Sequence, residues 1–111
     1  MTITTHVLDT ARGIPAAGIK ISLYALDEHG ARTVVAQAVS NGDGRTDAPL
    51  GNALRAGPYE LVFSVGEYFA QHHAIGFYDE IPVRFRIGGR PGTYHVPLLL
   101  SPWGYSTYRG S

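Results

Sequence analysis

The sequence predicts an all-β fold, an antiparallel sandwich or barrel, on three observations. Apolar residues recur with period two through most of the chain, as half-buried strands require. Strings rich in Gly, Pro, Asn and Asp ("RGIPAAG", "DEHGA", "NGDG", "RAGPY", "GGRPG") separate these runs and supply the reversals. Only one stretch breaks the alternation in favour of a helix. Many short strands between such turns read as a sandwich or barrel.

Taken in order, "TITTHVL" sets Ile3, Thr5 and Val7 on one face and Thr4, His6 and Leu8 on the other. "GIKISLYAL" turns Ile19, Ile21 and Leu23 inward and Lys20, Ser22 and Tyr24 outward. "TVVAQAV" and "YELVFSV" give two more strands. "GEYFAQHH", with Tyr68 and Phe69 apolar among polar neighbours, predicts about two turns of helix ended by Gly76. "IPVRFRI" alternates Ile81, Val83, Phe85 and Ile87 against Pro82, Arg84 and Arg86. "TYHVPLLL" places His95 with Pro97 and Leu99, opposite a core face of Tyr94, Val96 and Leu98, and "YSTY" adds a short final strand.

A chain of 111 residues reads as a single domain over 1–111, able to bury roughly two thirds of its unfolded surface. Nine Lys+Arg balance nine Asp+Glu, so no net field draws nucleic acid or an anionic membrane. All the cations but Lys20 are arginines, which suit fixed planar hydrogen bonding. The absence of cysteine removes disulfides, Cys-based zinc sites and thiol catalysis. No run approaches a membrane span and "MTITTHVLDT" lacks the features of a signal peptide, so the expected location is the cytoplasm.

Five histidines invite a search for a base or a metal. His29 lies in a turn and reads as solvated; adjacent His72 and His73 diverge on any regular backbone and read as exposed polar residues at a helix end. His6 and His95 lie inside strands and form a candidate pair. Arg45 follows "NGDG", whose Asp43 is a candidate anchor for the loop. Pro97 cannot donate to a ladder, so its strand is expected to be an edge or to break there. An edge bearing Leu98, Leu99 and Leu100 would need cover from another subunit or segment, which points to an oligomer. No "HExxH" string occurs, which disfavours zinc hydrolysis, and no "GxSxG" turn surrounds a serine, which disfavours a nucleophilic triad. No metal and no cofactor are expected.

Five strings together resemble one known family, the 5-hydroxyisourate hydrolases or transthyretin-like proteins: "THVLDTARGIPAAGIKISLY", "TDAPL", "YELVFSVGEYF", "FYDEIPVRFRI" and "YHVPLLLSPWGYSTYRGS". The resemblance spans nearly the whole chain, and its most specific part is the terminal "YRGS". It implies a transthyretin-like sandwich of two four-stranded sheets with one short helix, assembled as a homotetramer, a dimer of dimers with sites at the dimer–dimer interface. It implies hydrolysis of 5-hydroxyisourate, with His6, Arg45 and His95 catalytic and Tyr108, Arg109, Gly110 and Ser111 closing the substrate site. Gly110 would let the chain turn tightly, and Arg109 would either meet substrate or pair with a carboxylate. The rival from another class is a transthyretin-like carrier using the same fold for a small ligand without catalysis.

Overall fold

The longest alternating runs become the longest strands. In the computed structural model, which describes residues 1–111, β4 (Lys20–Leu26), β5 (Arg32–Val39), β6 (Gly57–Ser64) and β7 (Glu80–Ile87) form a four-stranded antiparallel sheet in the order β5-β4-β6-β7. Its inner face carries Ile21, Leu23, Leu61, Phe63, Ile81 and Ile87, all buried. The second layer contains β2 (Val7–Asp9), β3 (Ile14–Pro15), β9 (Leu98–Leu100) and β10 (Tyr105–Thr107) in the order β10-β9-β2-β3. Ile3, Val7, Leu98 and Leu100 reach inward from this side and complete one apolar core. Each such side chain contributes roughly 1.5–3 kcal/mol on burial.

Two strands expected as single units are interrupted. "TITTHVL" divides into β1 (Thr2–Thr4) and β2, and "TYHVPLLL" into β8 (Thr93–His95) and β9. β1 pairs with β8 and β2 with β9, both in parallel, so the sandwich is not antiparallel throughout. Pro97 marks the break, as a missing donor should. The lost N–H is tolerated because Val96 and Leu98 donate to the Thr4 and His6 carbonyls on one side, while the Pro97 carbonyl accepts from the Thr107 hydroxyl at 2.7 Å.

The edge expectation fails at the same place. β9 lies between β10 and β2, and Leu98 and Leu100 are fully buried within this chain, so the leucine run does not call for a neighbouring subunit. The string "RGIPAAG" holds a two-residue strand, β3, as well as a turn.

The short helix α1 runs Val65–Gln71 and buries Val65, Tyr68 and Phe69. It ends earlier than Gly76. His73 takes a left-handed conformation (φ 53°), its N–H bonds Ala70 O at 3.2 Å, and the Ala74 N–H bonds Phe69 O at 2.9 Å. These two bonds close the helix in the Schellman pattern, with histidine in the position glycine usually takes. Gly76 instead packs where a side chain would collide with the Phe69 ring.

Candidate active site

The parallel pairing decides where the strand histidines point. Thr4 is paired with His95 and Val7 with Leu98, and the His6 carbonyl accepts the Leu98 N–H at 2.9 Å, so one register runs through the break. Paired residues in a parallel sheet share a face, and alternate residues along each strand return to it. Thr4, His6 and Leu8 therefore stand with His95, Pro97 and Leu99, and the two half-buried imidazoles are diagonal neighbours on the face opposite the core.

His95 is held from its Nδ1 side, which lies 2.9 Å from the Thr4 hydroxyl. Its pKa is lowered below 6.5, first by burial, then by the positive charge of Arg45 and by His6. Those influences disfavour the imidazolium, leaving His95 a neutral base near pH 7.

Arg45 reaches this neighbourhood because its loop is fastened at both ends. The Gly44 carbonyl accepts the Val7 N–H at 2.8 Å, and Leu50 exchanges two backbone hydrogen bonds with Ile3. Gly44 has φ 75°, and a Cβ there would overlap the Val7 carbonyl, so glycine is required on both counts. The anchor is Asn41 rather than Asp43: the Asn41 side-chain oxygen accepts the N–H of Asp43 at 2.9 Å and of Arg45 at 3.2 Å. An Asx turn of this kind fixes a loop through its own backbone. The exposed Arg45 guanidinium makes no ion pair with any carboxylate.

The tail continues past β10 in the same antiparallel register, ending in a bridge between Gly110 and His95 in which the Gly110 N–H donates to the His95 carbonyl at 2.8 Å. Gly110 falls on the histidine face, opposite His95. The Arg109 guanidinium lies 5.2 Å from the centre of the Tyr94 ring, and exposed Tyr108 lines the cleft beside Val83 and Phe85 together with Arg109. Within this chain Arg109 meets an aromatic face and pairs with no carboxylate. Ser111 follows, exposed.

The remaining histidines lie elsewhere. His29 is exposed beside Glu28, and His72 packs at a tilt against Tyr68 and meets Arg12 at the far end of α1. No group of three or more His, Asp or Glu side chains is arranged to hold a metal ion.

Two supporting residues went unnoticed in the sequence, Thr4 and Asn41. The alternation had already put Thr4 on the His6 face, but only the pairing with β8 shows that it touches His95. Asn41 stood in the quoted turn, where either it or Asp43 could have formed the anchor.

The site is open in a single chain. A cleft of about 120 Å³ is lined by Thr4 and Arg45, and none of the clefts of this chain includes His6 or His95. A larger, apolar cleft of about 280 Å³ lies between β7 and the tail, lined by Val83, Phe85, Tyr94, Val96 and Arg109 among others. It carries none of the paired acid–base groups.

Against this geometry, residues 3–110 match the model of the HIUase/Transthyretin family. A 5-hydroxyisourate hydrolase of Deinococcus radiodurans is 52% identical over 114 residues, covering 98% of this chain and 95% of the relative. The solved structure of Klebsiella pneumoniae 5-hydroxyisourate hydrolase superposes with a TM-score of 0.86 at 37% identity, covering both chains completely. Sea bream transthyretin superposes with a TM-score of 0.92 at 24% identity, covering 99% of this chain and 95% of the other, a likeness of fold alone.

Proposed function

The chain belongs to the HIUase/Transthyretin family, and from that premise we propose that the face shared by His6, Arg45 and His95 is the surface on which it works. It is a 5-hydroxyisourate hydrolase, converting that compound to 2-oxo-4-hydroxy-4-carboxy-5-ureidoimidazoline in urate degradation. The observation that carries the site assignment is the pairing that brings two imidazoles to one face, with Arg45 close enough to lower the pKa of one of them.

The chemistry asks little of these residues beyond placement. Water adds to a ring acyl carbon, a tetrahedral oxyanion forms, and the carbon–nitrogen bond breaks as the nitrogen takes up a proton. A neutral imidazole accepts the proton from water, and the second imidazole orients that water or protonates the leaving nitrogen. Arg45, unpaired and permanently charged, is placed to receive the developing negative charge. Tyr108 and Ser111 bound the pocket and hydrogen-bond the polar ring of the substrate.

The open site supports assembly. One free edge of each sheet, β7 and β10, lies on the same side of the sandwich, where Tyr78 and Tyr105 pack with ring centres 5.0 Å apart. Phe77 (70% exposed) and Trp103 (69% exposed) stand in the adjoining segments. Unpaired edges beside exposed aromatics favour association with further copies. The reading is a homotetramer, a dimer of dimers, in which the histidine faces of different chains enclose the substrate. No helix is long and apolar enough to cross a membrane. The same reading places the assembly in the cytoplasm.

The test is direct. Added to urate and urate oxidase, the protein should speed the decay of 5-hydroxyisourate well beyond its spontaneous rate. Arg45→Ala should lower that rate by roughly 10²–10³, the usual effect of losing one preorganised donor, and His95→Asn should lose at least as much. Full activity in either variant, with the assembly intact, would remove these residues from the mechanism.

A further inference from the structure

We propose that Asn41 is a positioning residue that keeps Arg45 available to the substrate in two ways: its side-chain oxygen fixes the Arg45 backbone, and its side-chain amide engages Asp47, the one carboxylate that shares a cleft with Arg45. The inference rests on the reading of Arg45 as the group that receives the developing charge.

The Arg45 backbone meets Asn41 at both of its polar groups. Its N–H donates to Asn41 Oδ1 at 3.2 Å, and its carbonyl accepts the Asn41 N–H at 2.7 Å. The Asp43 N–H shares Oδ1 at 2.9 Å, and the Gly44 N–H donates to the Asn41 carbonyl at 2.9 Å. The other end of the amide, Nδ2, donates to Asp47 Oδ1 at 3.0 Å. These partners admit one orientation of the side chain, since backbone N–H groups only donate and an ionised carboxylate only accepts. Because the Gly44 carbonyl also accepts the Val7 N–H, holding Arg45 against Asn41 holds it against the segment that carries His6.

Asp47 matters because of where it lies. It lines the cleft of about 120 Å³ that Arg45 also lines, and no other carboxylate does. Exposed and two positions along the chain, it is the natural ion-pair partner of that guanidinium, yet the two are not paired. Such a pair would offset the charge that acts on the oxyanion and on His95. The Asn41 amide gives Asp47 a neutral donor instead and leaves the cation free. Thr46, between the two, cannot substitute, because its hydroxyl donates to the Ala48 carbonyl at 2.6 Å. Asp43, the other acid of the loop, lines no cleft with Arg45.

The experiment follows 5-hydroxyisourate decay and, by NMR of the full chain labelled at histidine, the titration of His95. Asn41→Ala should lower kcat roughly 10²-fold with little change in KM, the scale of a misplacement of about 1 Å, and should move the His95 titration up toward 6.5. Adding Asp47→Asn should return the titration toward the parent and recover part of kcat. Asp47→Asn alone, whose amide oxygen still accepts from Asn41, should keep the parent kcat. On an Arg45→Ala background Asn41→Ala should cost nothing further. Should Asn41→Ala not fold, Asn41→Ser, which keeps an oxygen for the turn and loses the amide donor, carries the same expectations. A variant at Asn41 with the parent kcat and titration overturns the inference, as does an equal loss on the Arg45→Ala background, and the proposed function stands in both cases. If the parent fails to speed the decay, the proposed function falls, and the His95 titration, which needs no turnover, still decides whether Asn41 keeps Asp47 from Arg45.

Discussion

His95 shows how much a single residue's setting adds to its identity. Its pKa is lowered from 6.5 by burial, with Arg45 and His6 adding to the effect, so the folded chain binds fewer protons at this site than the unfolded chain. Stability then rises with pH across the window from the folded value up to 6.5, and this contribution is lost as the pH falls through that window. Activity that needs neutral His95 should have its acid limb below pH 6.5. Arg45→Gln removes a neighbouring cation and should move that limb upward toward the ordinary histidine value, on top of its loss in rate; a pH profile of kcat/KM measures both, and an unmoved limb would separate Arg45 from His95. The sequence could nominate both histidines and Arg45, since each stood out by residue type and position. It could not reveal the shift, because desolvation and the charge of a residue fifty positions away exist only in the folded chain.

At the level of the elements, legibility followed the range of the interaction. Alternation is local, so the inward faces of β4 and β7 are as the residues suggest. The parallel ladder joins residues 91 positions apart, and nothing in either string announces it. Pro97 correctly signalled a broken strand, but a missing donor has the same sequence signature at an edge as at a break between two central segments. The helix end was misplaced because a histidine adopted the backbone that glycine favours. Gly110 is the subtlest case. Its φ is not in the left-handed region, so flexibility is not what the position requires. Space is: a Cβ there would lie 2.5 Å from His95 Cδ2 and 3.2 Å from Cγ. Gly110→Ala should therefore lift the tail or tilt the imidazole, cutting kcat at least tenfold while the melting temperature moves by only a few degrees. Removing Tyr108–Ser111 should abolish turnover with the sandwich still folded. A Gly110→Ala variant as active as the parent would show that the tail does not set the ring.

If the face of His6, Arg45 and His95 is the working surface proposed above, its openness would make assembly part of the mechanism. A reactive electrophile resting on a half-buried surface would be exposed to bulk water, whose high dielectric weakens the contribution of Arg45 to the transition state. Facing a second chain would exclude that water without altering any residue. The free edges β7 and β10 offer the means, because backbone groups left unpaired on both sheets can be satisfied by the same edges of another copy. The leucine run first suspected of demanding a partner is satisfied internally, so this case rests on edges and exposed aromatics instead. At micromolar concentration, sedimentation should give a particle of four chains of 12.0 kDa each. Specific activity should stay constant on dilution until that particle dissociates, then fall steeply, and adding back concentrated protein carrying His95→Asn should restore part of it by re-forming mixed assemblies. A single chain of 12.0 kDa that turns over substrate at the undiluted rate would show that one face is sufficient and that the partner contributes nothing to catalysis.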